Sequence, residues 1–83
     1  MKIYETIKQY EKQGNKWILI KEYPTKDISP LVYSRLTHEK QTGDRRTFQY
    51  SYEFGQRLMT RLTNTNPILG LKSVRTFEFE REV

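Results

Sequence analysis

Thr47-Phe48-Gln49-Tyr50-Ser51-Tyr52-Glu53-Phe54 is the stretch whose reading decides the fold. Its four aromatic residues alternate with polar ones, and a period of two with the bulk on one side describes a strand with one buried face. Upstream, Leu31 to Lys40 also has strand character, and Gln41-Thr42-Gly43-Asp44 supplies turn chemistry between the two. With Thr42 and Gly43 at the turn centre, Arg35 lies opposite Tyr50, Tyr33 opposite Tyr52, and Glu39 opposite Arg46. A slip of one residue exchanges the two faces, so the hairpin is better specified than its register.

Downstream, Phe54, Leu58 and Leu62 recur every four residues with Met59 beside them, the apolar stripe of a short helix from about Glu53 to Thr63. Ser51 is its candidate cap, and Gly55 is the residue that argues against it. Asn64-Thr65-Asn66-Pro67 ends the predicted helix, because proline cannot continue it and asparagine favours turns. Leu71 to Arg81 then reads as a last strand, with Phe77 and Phe79 on one face and Val74, Thr76 and Glu78 on the other.

The N-terminal third admits two readings. Gly14-Asn15 suits a two-residue hairpin turn before a strand from Trp17 to Tyr23. Ile3, Ile7 and Tyr10 also have helical spacing, with Gly14 as a C-cap. The β-branched and aromatic content favours the hairpin. Pro24 ends that strand and Pro30 opens the next. The expected architecture is a single α+β domain over residues 1–83: a small antiparallel sheet of four or five strands with one amphipathic helix, in the order β-β-β-β-α-β.

Composition bounds what such a domain can be. At 83 residues there is material for one core. Leu, Ile, Val and Phe make up 20 residues, so the core has to lean on the 11 aromatics, Phe48 and Tyr50 foremost, while Tyr23 and Tyr33 are the candidates for exposure. The chain has no cysteine, which excludes disulfides, thiolate zinc sites and cysteine nucleophiles. The longest apolar run is Trp17 to Ile20, and Lys2, Glu5 and Lys8 occupy the positions where a secretory signal carries its apolar segment. The expectation is a soluble, cytoplasmic protein.

The formal net charge of +5 is concentrated. Residues 45–75 carry Arg45, Arg46, Arg57, Arg61, Lys72 and Arg75 against Glu53 alone, which equals the whole imbalance. Five of the six are arginine, whose planar fork matches phosphate and stacks on bases. On the predicted helix Arg57 and Arg61 are one turn apart. These six residues are the candidate nucleic-acid-binding surface of a non-enzymatic basic accessory protein, with the sheet aromatics as stacking platforms. The same charge is also what a solvated face carries, with Glu53 pairing Arg57 and Glu39 pairing Arg46.

Catalytic and metal chemistry is thinly supplied. His38 is the single histidine, the carboxylates show no calcium-loop spacing, and the four glycines form no phosphate cradle. No cofactor or metal site is legible. One enzymatic alternative survives, a metal-independent ribonuclease drawing on Tyr33, Arg35, His38, Arg45 and Arg46 in the predicted hairpin. The main alternative is a protein-interaction module, a regulator or inhibitor, using exposed Tyr and Arg. An open sheet edge, that of the first or last strand, offers a homodimer contact. The lack of alanine and abundance of Lys, Tyr, Thr and Ile resemble the composition of accessory proteins of bacterial mobile elements or phage, which assigns no site.

Overall fold

The computed structural model describes residues 2–38, 49–56 and 58–80, which form an antiparallel sheet bearing one short helix. The elements are β1 (Lys2–Gln13), β2 (Lys16–Glu22), β3 (Lys26–Ile28), α1 (Pro30–His38), β4 (Gln49–Gly55), β5 (Leu58–Asn66) and β6 (Leu71–Glu80). Across the sheet the order is β2-β1-β6-β5-β4, with β3 also on β1. Because β6 takes one side of β1 along Lys2 to Glu11, β2 and β3 share the other side, one at each end.

The mainly antiparallel sheet and single helix agree with the sequence, and the N-terminal hairpin is present. Gly14 has φ of 64°, a left-handed conformation that suits glycine, and it joins Gln13 to its partner Lys16. The placement of the helix differs. Residues 30–38, read as a strand, are helical, and residues 53–63, read as a helix, are a strand pair, so the element order is β-β-β-α-β-β-β. The predicted turn at 41–44, together with Phe48, Glu39, Arg45, Arg46 and Arg57, lies outside the described residues.

Both differences have local causes. Ser29 caps α1, its Oγ accepting from the Val32 N–H at 3.2 Å, while Pro30 occupies the first helical position, where its missing N–H and fixed φ cost nothing. In the β4–β5 pair, Glu53 faces Arg61 but Phe54 faces Met59, so Thr60 is an extra residue in β5. That bulge reverses the alternation, and Met59 and Leu62, three residues apart, both turn toward the core. A spacing of three is helical in a regular chain; here a bulged strand produces it.

The core is small. Among the described residues Ile3, Met59, Leu62 and Phe77 are the buried apolar side chains, with Ile28, Tyr33, Leu36, Tyr50 and Phe79 packed around them. All of the sheet residues in this group lie on one face, and α1 covers that end of it through Tyr33 and Leu36. The Tyr33 ring meets Phe77 and Phe79 edge-to-face, with centroids 5.4 and 5.2 Å away. Tyr33 is therefore a core residue and not one of the exposed aromatics. Tyr23, the other such candidate, is half-buried with the Lys21 ammonium 4.6 Å from its ring centroid.

The aromatic stripe of β4 only partly joins this core. Tyr50 packs against it, but Tyr52 is 42% and Phe54 66% exposed. Among the described residues the strand lies at the edge of the sheet.

Candidate nucleic-acid interface

The register divides the sheet residues between two faces. Ile3, Glu5, Ile7 and Gln9 of β1 align with Phe79, Phe77, Arg75 and Ser73 of β6 on the helix-bearing face. Tyr4, Thr6, Lys8 and Tyr10 align with Glu78, Thr76, Val74 and Lys72 on the opposite, open face. β5 adds Arg61, Thr63 and Thr65 to the open face, and β2 adds Trp17 and Leu19.

Lys72 is the centre of the open face at its β2 end. Its Nζ lies 4.6 Å from the Trp17 ring centroid and 5.0 Å from that of Tyr10, so one ammonium rests against two aromatic faces. The register explains the meeting: Lys72 opposes Tyr10 on β1, and Trp17 opposes Lys12 one pleat further along the same face. Lys8 and Lys12 flank this cluster, Lys8 with Glu22 at 3.9 Å. Half-buried Thr63, Thr65 and Val74 complete this part of the face.

The far end of the open face has the opposite sign. Asp27, Glu78 and Glu80 gather there around Tyr4. The Tyr4 hydroxyl donates to Glu80 Oε2 at 3.2 Å, and its acidity is held below that of an ordinary phenol, first by desolvation and then by that carboxylate. One strip of sheet thus runs from a cationic aromatic end to an anionic end, which gives any polyanion a preferred position on it.

Of the five arginines and one lysine singled out from the sequence, the three that are described do not share one face. Arg45, Arg46 and Arg57 fall outside the described residues. Arg61 and Lys72 share the open face, but the Arg61 guanidinium lies 3.3 Å from Glu53, its cross-strand partner, and not on a helix beside residue 57. Arg75 lies on the other face, opposite Leu62 and Ile7. Tyr10 and Trp17, which complete the Lys72 cluster, were not singled out, because only the β1–β2 and β1–β6 registers together bring them to it.

Beyond α1, the helix-bearing face holds a hollow of about 340 Å³, lined by Gln9, Ile20, Asn64, Leu69, Leu71 and Ser73 among others. A smaller hollow beside it contains Tyr50, Leu62 and Arg75. Asn64 Oδ1 is buried between them with no hydrogen-bond partner. The hollow is roomy enough to admit water, the usual partner of such an oxygen.

Of the ribonuclease set, Tyr33 has its hydroxyl on the Met59 backbone, Arg35 is exposed on α1, and His38 is the last residue of that helix. Among the described residues no group of three His, Asp or Glu is placed to hold a metal ion, and no helix is long and apolar enough to cross a membrane.

Compared with known protein families, with curated proteins and with solved structures, the chain matches none of them.

Proposed function

We propose that this protein binds single-stranded nucleic acid, without catalysis, on the open face around Tyr10, Trp17 and Lys72. The observation that carries this reading is the Lys72 ammonium seated against both rings on the sheet face opposite the one that α1 packs on. Single strands are held by aromatic faces that stack bases and by cations that follow the backbone. Tyr10 and Trp17 are the stacking groups. Lys72, Lys12 and Lys8 are the phosphate contacts nearest them, and Arg61 extends the same face toward β4.

This reading keeps Lys72 and Arg61 from the sequence-derived set and sets Arg75 apart, since it faces the other way. An aromatic platform favours unpaired bases, because a duplex keeps its bases stacked on one another and offers only its backbone. Fluorescence anisotropy of labelled mixed-sequence oligonucleotides across a salt series tests it. Single strands are expected to bind more tightly than duplexes of equal length, with affinity falling as salt rises. Equal affinity for both, or single-strand binding weaker than about 100 μM at 100 mM salt, the range of non-specific association, overturns the reading.

A further inference from the structure

We propose that a second copy of this chain pairs with the outer edge of β4, joining two sheets into one continuous sheet about a two-fold axis. β1 and β6, the first and last strands, are interior, so among the described residues the edges available are those of β2 with β3 and of β4.

These two edges are built differently. The β2 strand carries Lys16 and Lys21, and its extra residue Ile20 interrupts the register between Gln9 and Tyr10 of β1. Its neighbour β3 is three residues long, begins with Lys26 and follows Pro24. Lysines, bulges, proline and short length are the devices by which sheet edges avoid pairing with other chains. None of them is found within β4 itself. The strand Gln49–Gly55 contains no lysine or proline, the bulge beside it places its extra residue in β5, and its one charge, Glu53, is taken by Arg61 at 3.3 Å. It also carries the exposed rings of Tyr52 and Phe54.

The sequence of β4 is complementary to itself when reversed. An antiparallel pairing centred on Ser51 sets Ser51 against the second copy's Ser51, Tyr50 against Tyr52 and Gln49 against Glu53. Aromatic then meets aromatic on the helix-bearing face, and no like charges oppose one another. The match of the strand to its own reverse makes a second copy the favoured occupant over an unrelated peptide. Centred on Ser51, the pairing runs over five residues of each copy, Gln49 to Glu53, at the small end of protein interfaces, so association in the micromolar range is expected.

Sedimentation velocity from 5 to 500 μM tests the proposal. The wild type is expected to shift from monomer to dimer across this range, and Ser51→Lys, which places two ammonium groups together at the axis, to remain monomeric with an unchanged circular dichroism spectrum. Because the chain has no cysteine, Ser51→Cys is a clean second probe. Opposed residues in an antiparallel pair have Cα atoms about 4.5 to 5.5 Å apart, within disulfide reach, so mild oxidation should link two copies faster than in Lys16→Cys on the opposite edge. Three results overturn it: a wild type still monomeric at 500 μM, a dimer that Ser51→Lys leaves intact, or equal cross-linking of the two cysteine variants. Lys72→Ala should leave sedimentation unchanged, which separates this proposal from the nucleic-acid reading.

Discussion

The Tyr33 hydroxyl makes two hydrogen bonds to one residue, accepting from the Met59 N–H at 2.7 Å and donating to the Met59 carbonyl at 3.1 Å. The β5–β6 ladder begins at Arg61 opposite Thr76, and the extra residue Thr60 sets Met59 beyond it. A side chain from α1 therefore does for Met59 what a neighbouring strand does for the rest of β5, and it ties the helix to the sheet.

Removing that hydroxyl leaves two part-buried backbone groups without their partner. Tyr33→Phe keeps the ring contacts with Phe77 and Phe79 and should destabilise by about 1 to 3 kcal/mol, the cost of unsatisfied buried polar groups. Urea denaturation of the two proteins measures it; a difference within error of zero would show that water replaces the hydroxyl at no cost.

The same hydroxyl makes stability sensitive to alkali. Burial raises the Tyr33 phenol above its ordinary value of 10.0, an effect that the bond with Met59 only partly offsets. A proton held more tightly in the folded state contributes stability that is complete below the unfolded pKa and is lost as pH rises through the folded one. The advantage of wild type over Tyr33→Phe should therefore be constant from pH 7 to 9 and shrink above pH 10. Tyr4, raised in the same direction, is present in both proteins and cancels from the comparison.

Asn66 organises the turn between β5 and β6. Its Oδ1 accepts from the Ile68 and Leu69 N–H groups, both at 3.1 Å, and its own carbonyl accepts from Gly70 at 2.9 Å. Asn66→Ala should cost about 1 to 2 kcal/mol, whereas Asn66→Asp, which keeps an accepting oxygen, should retain most of the stability. Thermal unfolding followed by circular dichroism compares the three.

The two ends of the aromatic pattern should respond differently to truncation. Phe77 is 2% exposed in a core with few other members, and Phe77→Ala should cost about 3 to 5 kcal/mol, enough to unfold a domain of this size. Phe54 is 66% exposed, and Phe54→Ser should change monomer stability by no more than about 0.5 kcal/mol. Thermal melts at low micromolar concentration check both.

The strands legible in the sequence were those whose alternation is regular and whose turns are explicit. Gly14-Asn15 marked the first hairpin, and the facing of Phe77 and Phe79 against Val74, Thr76 and Glu78 in β6 was read correctly. The position of the helix is not legible from apolar spacing, because α1 carries two weak and opposing signals. Val32 and Tyr33 favour strands, and only Tyr33 and Leu36 of α1 face the core while Leu31 and Val32 stay exposed, so its apolar stripe is slight. The cap at Ser29 and the proline at the first helical position were the better guides. In β5, the bulge at Thr60 lets Met59 and Leu62 share the core at a helical spacing, and Gly55, which is unfavourable inside a helix, stands at the approach to a hairpin turn.

The candidate site was less legible than the fold. Charge is densest in residues 45–75, yet two of the three residues in the Lys72 cluster come from β1 and β2, more than fifty residues before Lys72. Long-range register, and not local composition, brings Tyr10, Trp17 and Lys72 together. The separation of Arg75 from Arg61 and Lys72 has the same origin, since neighbouring pleats of a sheet point to opposite faces.

Trp17 is the chain's single tryptophan, which makes its emission a direct report on the proposed platform. Titration with a single-stranded oligonucleotide at low salt should quench and saturate that emission. Lys72→Ala should reduce the slope of log K against log salt by about 0.7 for one lost phosphate contact, and Tyr10→Ala should weaken binding by about 1 to 3 kcal/mol for one lost stacking partner. Binding detected by anisotropy with Trp17 emission unchanged, or with an affinity and salt slope indifferent to both substitutions, would contradict the account and place the nucleic-acid surface elsewhere.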